Sequence, residues 1–258
     1  MRILTISDIH GQYDTFRLEH LPEVDVILMA GDLTNFGLRP PVNYQLQAER
    51  ELEQARAWFE RLHQHCPQIL WVQGNHDIDL PDDFLEPFAR NIRDQSITLL
   101  NPRAAPVLIP TTHLTGGIAD GLLDPTAAPS GPGSLGSLED DGNSISVRGV
   151  SLTCAFDKPF LAQQWAFTTV NPLADASAFD FGYHDIIVSH GPPLDCLDRT
   201  NSGQHIGSPA LQKHVLEHQP KLVVCGHVHE AAGVRSLGQS MIVNSARRWH
   251  SLTLSTKP

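Results

Sequence analysis

The sequence predicts an α/β sandwich, and three observations carry the prediction. Short apolar runs rich in Val, Ile and Leu recur along the chain, each stopping abruptly at glycine or polar residues, the pattern of strands buried on both faces. Segments with helical spacing of apolar residues separate some of them. Strand, helix and strand therefore alternate, which places helices over the faces of a largely parallel sheet.

The first run, Arg2 to Ser7 (RILTIS), ends in Asp8 and His10. The second, Val24 to Ala30 (VDVILMA), ends in Gly31 and Asp32, and the third, Gln68 to Gln73 (QILWVQ), runs into Gly74, Asn75, His76 and Asp77. Between the second and third, Leu46, Leu52, Ala55, Phe59 and Leu62 predict a helix over 41–65 that opens on Pro41, a favoured first position. Later, Asp185 to Ser189 (DIIVS) delivers His190, and Lys221 to Cys225 (KLVVC) delivers Gly226, His227, Val228 and His229. A helix over 209–218 separates these two, with Leu211, Val215 and Leu216 as its core face. SITLL, APVLIP and SISVRGVSLTC, between about 97 and 154, fit antiparallel strands or hairpins that extend a sheet. MIVNSA and SLTLS, at 241–246 and 251–255, read as closing strands. The segment Asp124 to Asn143, dense in Pro, Gly and Ser with almost no apolar anchor, reads as a mobile loop, with a lid as the alternative. No internal repeat interrupts the pattern, so 1–258 is expected to be a single domain with a loop insertion at about 124–143.

Of the 258 residues 41% are apolar and 18% charged, the balance of a globular chain rather than a disordered one. Lys plus Arg total 18 against 29 for Asp plus Glu, a formal charge of -11, which disfavours duplex nucleic acid as a partner. No window reaches the run of about 18 apolar residues that a spanning helix needs, so no membrane partner is expected. The N-terminus opens into MRILTIS rather than a charged and then apolar leader, which makes the cytoplasm the expected compartment. Cys66, Cys154, Cys196 and Cys225 show no CxxC spacing and read as thiols, with Cys225 a small core residue. The unusual count is histidine, at 14.

In an open α/β sheet, ligands bind beyond the carboxyl ends of the strands, and each cluster above lies at such an end. Asp8, His10, Asp32, Asn75, His190, His227 and His229 offer only oxygen and imidazole donors, which suits Mn, Fe, Zn or Ni. Seven donors exceed what one tetrahedral ion requires. Two ions sharing a carboxylate can clamp a phosphoryl group and supply hydroxide at neutral pH. Two divalent ions, less two aspartates and one hydroxide, leave roughly +1, a local attraction for a phosphate ester within an acidic protein.

DIH, GD, GNHD, SH and GHVH, in that order over residues 8 to 229, resemble the five blocks of the calcineurin-like metallophosphoesterase superfamily. The resemblance implies a four-layer α/β/β/α sandwich, two mixed sheets flanked by helices. It implies that Asp8, His10 and His229 hold one metal, that Asn75, His190 and His227 hold the second, and that Asp32 bridges them. Two divalent or trivalent ions would be the cofactors, manganese first, with iron, zinc or nickel open. His76 would act on the phosphoryl or leaving-group oxygen as a proton donor or electrostatic stabiliser, and Asp77 would orient it. The second half, in HGPPLD, GSPALQKHV, PKLVVCGHVHEAAG and VNSA, together with QQWAF at 163–167, resembles the metallophosphoesterase-domain-containing branch related to cyclic-nucleotide phosphodiesterases. The reaction it implies is hydrolysis of a small phosphodiester such as a cyclic nucleotide by hydroxide bridging two metals. The alternatives are a phosphomonoesterase, a phosphoprotein phosphatase, or a non-catalytic metal-binding scaffold. A scaffold would be expected to have lost ligands, and all seven are present. A small phosphoester is thus the expected partner, and the oligomeric state is unknown.

Other histidines have plainer readings. His63 and His65 end a helix, where a cation is favourable. His214 and His218 are spaced to chelate but lack a third ligand on that helix and read as an exposed face. His113, His184 and His205 lie in loops that the sequence does not place. Trp165 and Phe167 read as core or rim packing rather than a base-stacking pair. Arg247 and Arg248 read as a solvated edge or a phosphate contact, and Asn35 as a turn cap or a neighbour of the site.

Overall fold

Neighbouring residues of the first apolar run point into different cores: Ile3 joins one buried cluster, Leu4 and Ile6 another, because side chains alternate across a strand. The structure is a computed structural model describing residues 1–14, 16–35, 44–66, 68–77, 97–100, 106–110, 119–122, 139–140, 144–155 and 167–256. In chain order its first eight strands are β1 (Arg2–Ile6), β2 (Val26–Met29), β3 (Ile69–Trp71), β4 (Ile97–Leu99), β5 (Val107–Pro110), β6 (Ala119–Leu122), β7 (Glu139–Asp140) and β8 (Ser144–Val150). The rest are β9 (Thr153–Cys154), β10 (Thr168–Thr169), β11 (Ile186–Ser189), β12 (Leu222–Cys225), β13 (Gly233–Leu237), β14 (Ser240–Asn244), β15 (Arg248–Thr253) and β16 (Ser255–Thr256).

Two six-stranded sheets form, ordered β4-β3-β2-β1-β15-β6 and β13-β14-β12-β11-β8-β5. Both are mixed. The first runs parallel from β4 to β1 and antiparallel through β15 and β6. The second is parallel through β14, β12, β11 and β8, with antiparallel β13 and β5 at its edges.

Ile3, Val26, Leu28 and Leu70 of the first sheet pack against Val147, Ile186, Val188, Val224 and Val243 of the second, which makes the central core. On the far side of the first sheet, Ile27, Met29 and Trp71 meet Ala55, Trp58, Phe59 and Leu62 of the Tyr44–His65 helix. On the far side of the second, Ile187, Val223 and Ile242 meet Leu211 and Val215 of the Pro209–His218 helix. Helix, sheet, sheet and helix make the four layers expected, and the period-2 alternation of the strands produces them.

Two expectations change. Of the segments expected to be antiparallel, β4 (SITLL) joins β3 in parallel and β8 (SISVRGV) joins β11 in parallel, with antiparallel pairing only to β5, an outcome that periodicity cannot distinguish. His214 was expected to be exposed and Leu216 buried; the reverse holds, at 4% and 49% exposure. His214 lies three residues after Leu211, on the same helical face, whereas Leu216 points away. The start of the first helix at 41–43 lies outside the described residues, as does the 124–143 segment apart from β7, which pairs in parallel with β16.

Candidate metal centre

Strands β1, β2 and β3 are adjacent and parallel in one sheet, and β11 and β12 are so in the other. Their carboxyl ends deliver the seven predicted donors to one place. The sheets are fastened there by hydrogen bonds: the His227 backbone N–H donates to Asp8 Oδ2 at 2.9 Å, and His190 Nδ1 lies 2.6 Å from the Ala30 carbonyl oxygen. The approach is close enough to exclude side chains. A Cβ on Gly226 would overlap Ser7 Oγ and Asp8 Oδ2, and one on Gly74 would overlap Asp32, which explains the glycines of GHVH and GNHD.

Four of the donor-bearing residues, Asp8, His10, Asp32 and His227, have left-handed backbones, with φ of 58°, 49°, 54° and 70°. Such conformations are costly away from glycine and persist where the surroundings over-determine them. Here the loops after β1, β2 and β12 turn sharply, which brings Asp8, His10, Asp32 and His227 together.

Two groups of atoms result. In the first, His229 Nε2 is 3.0 Å from Asp8 Oδ1 and 3.1 Å from His10 Nε2, and His10 Nε2 is 3.5 Å from Asp8 Oδ1. In the second, His190 Nε2 is 2.9 Å from Asn75 Oδ1 and 3.4 Å from Asp32 Oδ2. Asp32 Oδ2 is also 3.5 Å from His10 Nε2, so one carboxylate oxygen touches both groups. Atoms bound at about 2.0–2.2 Å to one ion stand roughly 2.8–3.6 Å apart, and the observed spacings fit a metal. The His227 ring lies 5.2 Å from that of His190.

The electrostatics also favour positive charge. Burial works against it, but Asp32 and Asp8 raise the His190 imidazole to about 9. Burial opposes ionisation of Asp8 too, yet hydrogen bonds from His10 and His229 hold its carboxyl well below the usual range. His227 behaves differently: burial, helped by His190, pushes it down to about 4, and a neutral imidazole is the form that ligates. The Ala30 carbonyl accepts from His190 Nδ1–H, so the proton that a cation would displace is the one on Nε2, and the ring is already oriented for it.

His76 stands beside these atoms. Its backbone N–H donates to Asp32 Oδ1 at 2.7 Å, and its ring meets that of His10 edge-on, 4.5 Å between centroids. One of its ring nitrogens lies within 4.8 Å of donor atoms of His10 and Asp32. Burial pushes it down to about 4. Asp77, expected to orient His76, instead turns its carboxylate to the Thr34 and Gly74 N–H groups at 2.9 and 2.8 Å. Thr34 Oγ1, 3.0 Å from Asp77 Oδ1, also donates to the His76 carbonyl at 2.8 Å and so ties Asp77 to the loop that carries His76. Burial, then Asp32, raises Asp77 to about 6.

The pattern typical of calcineurin-like phosphoesterases matches residues 1–231. The chain belongs to the calcineurin-like phosphoesterase family. That family is dinuclear-metal-dependent, and the candidate ligand groups are present among the described residues. A UPF0046 protein of Caenorhabditis elegans is 26% identical over 267 residues, spanning 100% of this chain and 59% of that protein. Metallophosphoesterase domain-containing protein 1 of Homo sapiens is 25% identical over 251 residues, 95% of this chain and 65% of that protein. The chain thus spans less than two-thirds of either relative's length. One solved structure, 15% identical, aligns with a TM-score of 0.60 over 97% of this chain and 94% of its own. TT1561 of Thermus thermophilus, 16% identical, aligns at 0.50 over 95% and 88%. Both share the fold.

The motifs do not include Ser7, whose Oγ donates to Asp8 Oδ2 at 2.6 Å; a hydroxyl directly before a strand-end aspartate is the available signal. The Ala30 carbonyl carries no side-chain signal. Asn35 is exposed, and its backbone N–H donates to Glu51 Oε1. His184 meets Arg148 Nε at 3.1 Å, and His205 Nδ1 meets Asp198 Oδ1 at 2.7 Å. His113 and Trp165 lie outside the described residues, and no described helix is long and apolar enough to cross a membrane.

Proposed function

We propose that this chain hydrolyses phosphoesters at a two-metal centre, with small phosphodiesters such as cyclic nucleotides as the preferred class. The observation that carries the reading is Asp32 Oδ2, 3.5 Å from His10 Nε2 and 3.4 Å from His190 Nε2, the position of a shared carboxylate. Asp8, His10 and His229 would hold one ion, and Asn75, His190 and His227 the other. Manganese is the first candidate, and iron, zinc and nickel suit the same donors. Two bound ions supply Lewis acidity and lower the pKa of water to about 7, which makes a nucleophile available at neutral pH.

The chain's own residues supply the remainder. Ser7 and the His227 N–H hold the Asp8 carboxylate in place. Asp32 Oδ1 accepts from the His76 N–H and so couples the shared carboxylate to the loop that carries His76. His76, kept neutral by burial, donates an N–H to the phosphoryl or leaving-group oxygen as a stabiliser, a role that needs no protonated imidazole. Small diesters are the favoured class because the second-half motifs HGPPLD, GSPALQKHV and VNSA resemble the branch related to cyclic-nucleotide phosphodiesterases.

The test is hydrolysis of bis-p-nitrophenyl phosphate against p-nitrophenyl phosphate by chelated protein reloaded with Mn, Fe, Zn, Ni or Mg. Metal-dependent turnover that favours the diester is expected. A monoester preference would replace the diesterase reading with a phosphatase, and inactivity with two ions bound would leave a binding scaffold.

A further inference from the structure

We propose that Arg247 binds a non-reacting oxygen of the phosphoryl group and thereby sets how well the site accepts a doubly charged phosphate relative to a singly charged one. The inference rests on the phosphoesterase reading above. Arg247 follows β14, which runs parallel to β12, the strand that delivers His227 and His229. It therefore emerges at the end of the sheet where the donors collect. Ala246 bridges Ser7, and the Arg247 N–H donates to the Ser7 carbonyl at 3.0 Å, one residue from Asp8. Its side chain returns to the same segment: Nη2 donates to Gln12 Oε1 at 3.1 Å, two residues beyond His10. Arg247 is thus tied at its backbone and at its guanidinium to the stretch that bears Asp8 and His10.

Two features separate it from an ordinary surface arginine. The backbone is left-handed, with φ of 54°, as at Asp8, His10, Asp32 and His227, a costly conformation that persists only where the surroundings hold it. The guanidinium is also exposed and makes no ion pair among the described residues; its partner is a neutral amide oxygen. In a chain with 29 acidic and 18 basic side chains, a guanidinium held beside the Asp8–Gln12 segment by a neutral amide is not engaged by a carboxylate among the described residues and is available to an incoming anion. The planar fork of N–H donors matches phosphate oxygens. A dianionic monoester gains more from it than a monoanionic diester does.

Glycine adopts φ of 54° without strain, so Arg247→Gly removes the side chain and keeps the turn, while Arg247→Lys keeps the charge and loses the fork. Inorganic phosphate is titrated calorimetrically into manganese-reloaded wild type and both variants. Loss of a charge-assisted hydrogen bond should weaken phosphate binding by about tenfold or more in Arg247→Gly and less in Arg247→Lys, with manganese content unchanged. With the two nitrophenyl esters, KM for the monoester should rise about tenfold and KM for the diester by less than about threefold, with kcat nearly constant. Phosphate affinity within twofold of wild type in Arg247→Gly, or equal rises in both KM values, would overturn the proposal. Failure of the reloaded wild type to turn over either ester would count against the phosphoesterase reading instead, and the phosphate titration would still decide on Arg247.

Discussion

His190 Nδ1 lies 2.6 Å from the carbonyl oxygen of Ala30, across the gap between the two sheets. The contact orients the imidazole so that Nε2 faces Asn75 Oδ1 and Asp32 Oδ2. His190→Ala is therefore expected to weaken one of two bound ions by at least ~10²-fold and leave the group of Asp8, His10 and His229 occupied. Elemental analysis after gel filtration should find one ion per chain where wild type holds two. Loss of both, or of neither, would break the division into two groups.

Asp32 touches both groups, and its replacement should affect both. Asp32→Asn keeps the shape but removes the charge, and metal retention should fall at both positions, with turnover down ~10²-fold or more. The check is the same metal analysis alongside diester hydrolysis. A variant that kept two tightly bound ions would contradict a shared carboxylate.

His76 separates two roles that distance alone leaves together, since one of its ring nitrogens is within 4.8 Å of donors on His10 and Asp32. As a stabiliser of the reacting group, His76→Ala should lose ~10²-fold or more in kcat with metal content intact. Metal loss in that variant would make His76 a ligand.

His214 predicts a pH dependence of stability far from the centre. It is buried in the native state, its Nδ1 donates to the Phe179 carbonyl at 3.2 Å, and its Nε2 has no hydrogen-bond partner among the described residues. Burial, then the neighbouring His218, pushes it down to about 4 from an ordinary 6.5. Between those values the unfolded chain takes up a proton that the native state refuses, so stability falls as pH drops through the window and levels off below it. Between pH 7 and pH 5 the loss from this group is about 2 kcal/mol. His214→Asn, able to donate to Phe179 through its amide, should show a correspondingly smaller loss in urea denaturation at the two pH values. Equal losses in wild type and variant would remove His214 as the cause.

The strand-end clusters were legible because sheet topology converts position along a chain into position in space: a polar residue just past a buried parallel strand can go only to the carboxyl edge. Asp8, His10, Asp32, Asn75, His190, His227 and His229 all occupy such positions in the sequence. Helical phase was partly legible. Leu211 and Val215 are buried as their hydrophobicity and spacing predict, but at the next turn spacing outranks hydrophobicity: His214, on the Leu211 face, is buried and Leu216 is exposed.

By itself, then, the sequence determined the alternation of strands and helices, most of the apolar faces and the candidate donors, because these follow from local periodicity and side-chain chemistry. Only the tertiary structure decided which donor atoms share a group, that Asp32 Oδ2 belongs to both, and that Asp77 serves Thr34 and Gly74 rather than the His76 ring. Those relations join β1, β2 and β3 to β11 and β12 across two sheets, between residues up to 221 positions apart. Backbone partners such as the Ala30 carbonyl and left-handed turns such as that at Arg247 leave no side-chain trace in the sequence, since every residue carries the same peptide group.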